Sequence, residues 1–145
     1  MSQPERVDPR ALRLNAAATS LVLAAALLVP VPVAAGLLGL QALVFAVAAF
    51  VDLRLSPYSL VFARLVGPRL GEPAELEDSR PPRFAQQVGL AFVLVALVGI
   101  ATGVPALFLA ATALALVAAL LNATVGLCLG CEMYLIARRL APAGT

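Results

Sequence analysis

Hydrophobic and polar positions alternate along the chain in long blocks, and the apolar blocks come in pairs. Leu14 to Val29 and Val33 to Val51 form the first pair; Phe84 to Ala101 and Ala106 to Leu121 form the second. Each block is roughly 16–19 residues, near the ~20 that a helix needs to cross a ~30 Å hydrocarbon core. The connections around Pro30-Val31-Pro32 and Gly103-Val104-Pro105 are short enough to predict antiparallel hairpins. Between the pairs, Asp52 to Leu70 leaves the membrane. Ser56-Pro57 reads there as an N-cap and first helical position. Leu60, Val61, Phe62, Leu65 and Val66 around Arg64 predict a short helix lying in the interface. Gly71 to Pro82, acidic and proline-containing, reads as a solvated loop. After the fourth block, Asn122-Ala123-Thr124-Val125-Gly126 breaks the pattern, and Leu127 to Leu140 predicts a final helix.

The two halves read as a repeat. Val7-Asp8-Pro9-Arg10-Ala11-Leu12-Arg13-Leu14 matches Glu77-Asp78-Ser79-Arg80-Pro81-Pro82-Arg83-Phe84 at an offset of 70. Held without a gap, this offset aligns Asp52 with Asn122. Further on, Phe62-Ala63-Arg64-Leu65 aligns with Ile136-Ala137-Arg138-Arg139 at an offset of 74, which places four extra residues around the cysteines. Repeat 1 spans about residues 7–70 and repeat 2 about 77–140, within a single domain of 1–145. Two helices per unit preserve orientation, so the repeats are expected to be parallel about an axis along the membrane normal. The first block, with arginines before it and Val33-Ala34-Ala35 after it, has the outline of a signal peptide. Its recurrence as a spanning segment in the second half favours a membrane helix.

Composition sharpens the class: 62% of the 145 residues are hydrophobic and 12% charged, as in a membrane protein. Net charge is +2, too little for a nucleic-acid footprint. The charges then set the orientation. Arg6, Arg10 and Arg13 precede the first block; Arg54, Arg64, Arg69, Arg80 and Arg83 lie between the pairs; Arg138 and Arg139 follow the last. The acidic residues share those zones, and the two hairpin turns carry no charge. This asymmetry predicts a multi-pass protein of the cell inner membrane, with both termini and the central loop in the cytoplasm.

Candidate chemistry is concentrated in Gly126-Leu127-Cys128-Leu129-Gly130-Cys131-Glu132-Met133-Tyr134, which holds both cysteines. Two thiols three residues apart at a helix start can form a disulfide, share a metal or pass on a sulfur atom. A single Cys-x-x-Cys argues against a disulfide scaffold and for redox or metal work. At 100° per residue, Cys128, Glu132 and Arg139 fall on one stripe with Cys131 beside it. Leu129, Met133, Ile136, Ala137 and Leu140 take the opposite face, so the thiols are expected on the wetter side. A helix N-terminus stabilises thiolate, whereas Glu132, one turn from Cys128, either opposes this or takes a proton from the pair. The candidate catalytic residues are therefore Cys128, Cys131 and Glu132. Structural zinc needs four ligands and would require a dimer or a partner; two thiolates could hold a soft ion such as Cu(I). No cofactor motif is present. Gln41, mid-membrane in the second block, reads either as a functional polar residue or as a helix–helix hydrogen bond. Asp52 and Asn122 read as helix caps, and Gly99-Ile100-Ala101-Thr102-Gly103 as turn chemistry.

Three stretches together resemble a known family: Val7-Asp8-Pro9-Arg10, Val51-Asp52-Leu53-Arg54-Leu55-Ser56-Pro57, and the Cys-x-Gly-Cys-Glu segment from Gly126 to Tyr134. They resemble the domain of unknown function 4395 family of small four-helix bacterial membrane proteins. That resemblance covers nearly the whole chain and implies fold and membrane location, with a leaning toward thiol or sulfur chemistry. By analogy, membrane oxidoreductases of the disulfide-forming and vitamin K epoxide reductase-like types also use Cys-x-x-Cys, but add a second pair or a quinone. This chain has no second pair. The expectation is an all-α membrane protein: four transmembrane helices as two parallel two-helix pseudo-repeats, each followed by a short interfacial helix. Its leading function is thiol–disulfide or persulfide exchange with a soluble thioredoxin-like or rhodanese-like (sulfurtransferase) partner. The alternatives are a small homo-oligomeric transporter of a sulfur species or soft metal, and a non-catalytic membrane anchor.

Overall fold

The computed structural model describes residues 5–141. Four long helices dominate it: α1 (Pro9–Leu28), α2 (Val31–Phe50), α5 (Arg80–Thr102) and α6 (Pro105–Val125). Each is long and apolar enough to cross a membrane, and at ~1.5 Å per residue each is roughly 30–35 Å long. Proline stands at the first or second position of all four, at Pro9, Pro32, Pro81 and Pro105, where its missing N–H costs nothing. Gly103, at φ +71°, ends α5 in the left-handed conformation. Gly99 lies one turn earlier, inside α5. A Cβ there would stand 2.6 Å from the Phe108 backbone nitrogen, so this glycine sets the close packing of the hairpin. The glycine pair is thus part turn and part helix contact.

The central connection is a bent helical segment rather than one helix. A 3-10 turn (Leu53–Leu55) leads into α3 (Pro57–Val61), a π-helical stretch (Phe62–Val66) and α4 (Gly67–Leu70). Ser56 caps α3 as expected, accepting from the Ser59 N–H at 3.3 Å. The loop that follows contains a strand the sequence did not signal. β1 (Arg6–Val7) pairs antiparallel with β2 (Glu77–Asp78), Val7 opposite Glu77 and Arg6 opposite Asp78. The last helix, α7 (Leu129–Leu140), begins two residues later than expected.

Alanines are concentrated inside the bundle among a few large side chains, and many leucines lie outside. Ala26, Ala34, Ala48 and Ala96 are fully buried with Leu23, Leu38 and Val93, while Leu21, Leu28, Leu43 and Leu114 are exposed. In lipid no hydrophobic force drives helices together, so close packing of small residues must do so. Ala34, inside the candidate cleavage site, belongs to this core.

The packing follows a twofold relation. α1 packs mainly on α6, and α2 on α5, so each half clasps the other. Val7 and Glu77, equivalent at an offset of 70, pair with each other, as residues on a twofold axis must. Arg13 donates to the Ala123 carbonyl at 3.1 Å, and Arg83 to that of Ala49 at 3.3 Å. Arg13 and Arg83 correspond at 70, whereas Ala49 and Ala123 correspond at 74. Helix limits agree: α2 and α6 begin at Val31 and Pro105. The four-residue insertion therefore lies in α5, ahead of the hairpin, and not around the cysteines. One extra helical turn leaves the buried face unchanged, which hid its position from a sequence comparison. Asp52 then corresponds to Gly126. Asp52 caps the 3-10 turn, whereas Asn122 lies inside α6 and caps nothing.

Three Asp-x-Arg segments lock the charged end. In Asp8/Arg10, Asp52/Arg54 and Asp78/Arg80 the carboxylate accepts from the arginine backbone N–H at 2.9 Å. It also pairs with the guanidinium at 2.6–3.0 Å. Side-chain hydrogen bonds from these arginines, chiefly, hold the three aspartates below the usual carboxylate range, against the opposing effect of burial.

Candidate functional site

The cysteine segment is shaped by its glycines. Gly126, at φ +74°, ends α6; its N–H bonds to the Asn122 carbonyl and that of Leu127 to Leu121, both at 3.2 Å, a left-handed glycine closure. The chain can then turn and start α7 two residues on. Cys128 takes the N-cap position, its Sγ accepting from the Cys131 N–H at 3.2 Å. Gly130 allows α7 to rest on α5: a Cβ there would fall 2.6 Å from both Cα and Cβ of Ala85. Four residues on, Tyr134 meets Phe84 of α5, ring centroids 5.8 Å apart, and Arg138 stands over the Tyr134 ring at 6.0 Å.

Cys128 and Cys131 are joined as a disulfide, with Cα atoms 5.1 Å apart. Both are half-buried rather than on the wetter side. The face of α7 that Gly130 and Tyr134 press onto α5 carries Cys131 inward with it. Leu129, Met133, Ile136 and Leu140 are left exposed, an unpartnered apolar stripe suited to a bilayer interface. Glu132 is exposed and lies beside the pair; its carboxylate makes no hydrogen bond or ion pair among the described residues. No group of three or more metal-ligating side chains occurs among them.

The disulfide forms part of the wall of a cavity of about 750 Å³ between α1, α5, α6 and the start of α7. A second cavity, of about 610 Å³, lies in the other half against the central connection, but the positions that correspond to this wall carry larger side chains. There, Asn15 donates to Ser56 at 3.1 Å and Ser59 at 3.4 Å, and Gln41 donates to Thr19 at 3.3 Å and accepts from Tyr58 at 2.8 Å. Phe45 fills the adjoining position, 2.8 Å from where a Cβ on Gly89 would stand. The counterparts of Asn15, Thr19, Gln41, Phe45 and Ser56 are Ala85, Gly89, Ala115, Ala119 and Gly130. Each is smaller, and all five line the cavity. Gln41 itself makes a helix–helix hydrogen bond, the plainer of its two readings. Burial raises the pKa of its partner Tyr58, whose hydroxyl donates to the Gln41 side-chain oxygen.

Sequence reasoning found the cysteines and glutamate but missed the cavity wall. Gln86 belongs to that wall, and its Oε1 is buried with no hydrogen-bond partner. With the insertion assigned to α5, the loss of side-chain volume would have been readable from the alignment of the halves.

An all-α architecture with four membrane-length helices, and a cysteine pair at the start of the shorter helix that follows them, defines a multi-pass membrane protein with a Cys-x-x-Cys site. The chain belongs to the domain of unknown function 4395 family, whose model matches residues 7–139. No curated protein and no solved structure matches it.

Proposed function

We propose that this protein is a membrane thiol–disulfide exchanger, with Cys128 and Cys131 cycling between dithiol and disulfide against a soluble thioredoxin-like or rhodanese-like partner. The observation that carries the reading is the placement of the pair at the N-terminus of α7, bonded to each other and half exposed. When the bond is reduced, the Cys131 N–H still points at the Cys128 sulfur. Together with the helix dipole it stabilises a thiolate there. Cys128 is then the attacking thiol and Cys131 the resolving one. Glu132, exposed beside Cys131 and without a partner of its own, can take the resolving proton.

Orientation follows from the charges. The arginines of the termini and central connection occupy one end of the bundle, and the uncharged hairpin turns the other. The positive-inside rule puts the cysteine end in the cytoplasm of an inner-membrane protein. A mixed disulfide trapped from Cys131→Ser membranes tests the exchange. The expected product is a thioredoxin-like or sulfurtransferase protein bound through Cys128. Membrane-impermeant alkylation of reduced vesicles tests the side. Labelling only of inside-out vesicles is expected; labelling only of right-side-out vesicles would reverse the orientation.

A further inference from the structure

We infer that the cavity beside the disulfide binds a lipid-soluble quinone that exchanges two electrons with Cys128 and Cys131, which rests on the thiol–disulfide reading above. The chain has two cysteines in all, so electrons arriving from a partner dithiol have no second internal pair to move to. They must leave to another reactant. The soluble partner reaches the pair from the outer side of α7, where Leu127 and Glu132 are exposed. The inner side faces a cavity walled by three membrane-length helices.

The chemistry of that wall selects the occupant. Ala16, Phe92, Leu114, Ala115, Ala118 and Ala119 make it mostly apolar. At about 750 Å³ it has the size of a site for a ring with part of a tail. The carbonyl oxygen of Gln86 is buried there unpartnered. A buried acceptor without a donor is costly, and the hydroxyl of a quinol supplies one. Part of this volume is particular to the half with the cysteines, because Gln41, Phe45 and the Asn15–Ser56 bond occupy the corresponding positions of the other half, with Asn15 and Phe45 also bordering the cavity. The cavity of the other half, of about 610 Å³, has no cysteine in its wall.

The step balances. Two thiols lose two electrons and two protons as the Cys128–Cys131 bond forms, and the two quinone carbonyl oxygens take them up to give the quinol. In reverse, a quinol would reduce the disulfide. The ligand is therefore a co-substrate, replaced from the bilayer after each turnover.

The test uses the full chain in lipid nanodiscs, reduced with dithiothreitol and freed of it under anaerobic conditions. A short-tailed ubiquinone analogue is then added; its fully substituted ring leaves no carbon open to thiol addition. The expected result is one quinol formed per chain, with Cys128–Cys131 re-formed and no added mass. Ala119→Phe and Ala115→Gln install the residues that fill the other half. Each should slow oxidation by the quinone at least tenfold while dithiothreitol still reduces the disulfide at the wild-type rate. Run in reverse from the disulfide, Gln86→Leu should raise the quinol concentration needed for half-maximal rate. A wild-type dithiol that persists in the presence of the quinone would overturn the inference. So would refilled variants, folded by their unchanged disulfide reduction, that are oxidised as fast as wild type, since the reaction would then not use the cavity. A phospholipid retained in the cavity by native mass spectrometry and undisplaced by the quinone would also overturn it. Failure of thioredoxin to reduce the disulfide would instead strike at the exchange reading, whatever the quinone does.

Discussion

Gly130 sits on Ala85 at the place where, in the other half of the molecule, Ser56 receives a hydrogen bond from Asn15. One pair packs backbone to backbone and the other is bridged by polar side chains. The difference draws α7 onto α5 and the cysteines with it. Gly130→Ala puts a methyl group into that contact and is expected to cost about 1–3 kcal/mol. Alkylation of the reduced thiols should become faster as α7 lifts. Adding Ala85→Gly should restore much of both, a coupling measurable by thermal unfolding and alkylation rates.

Gln41 is fully buried and bridges Thr19 and Tyr58. Gln41→Leu leaves the Tyr58 hydroxyl without its acceptor, at a cost of about 1–3 kcal/mol. Combined with Tyr58→Phe the loss should be smaller than the sum of the single losses. Disulfide reduction should not change, because this network lies in the half without cysteines.

Acid should loosen the charged end. Asp8, Asp52 and Asp78 have folded pKa values below those of the unfolded chain. Their stabilisation is therefore complete above the unfolded value of about 3.9 and is lost as pH falls through the lowered folded values. The arginines of the Asp52 and Asp78 pairs are more than half exposed, so solvent screens each pair and salt weakens it further. Thermal unfolding followed downward from pH 5 should show this decline, and Asp8→Asn with Asp78→Asn should flatten it.

The two thiols should differ once reduced. Cys128 has both the N-cap place and the Cys131 N–H at 3.2 Å. In Cys131→Ser, Cys128 should alkylate several-fold faster at neutral pH than Cys131 does in Cys128→Ser. Equal rates over the whole pH range would remove the assignment of Cys128 as the attacking thiol.

The sequence by itself determined the four helices, their pairing into hairpins, and the end of the molecule where charge and sulfur collect. Length and hydropathy decide spanning helices because the bilayer imposes one thickness, and glycine and proline mark turns by local sterics. The Ser56 cap and the cysteines at a helix start were legible for the same reason, being contacts within a few residues. Only the tertiary structure decided that α1 clasps α6 and α2 clasps α5. It also showed that Val7 pairs with Glu77, a strand pair too short to leave a periodic signal. Apolar helices of Ala, Leu and Val look alike on every side, so the partner face is chosen by close packing of small residues across helices far apart in the chain. The cavity was hidden for that reason as well. Ala115 and Ala119 become informative only when their counterparts Gln41 and Phe45 are known, and one extra turn in α5, invisible to helical periodicity, had shifted that correspondence.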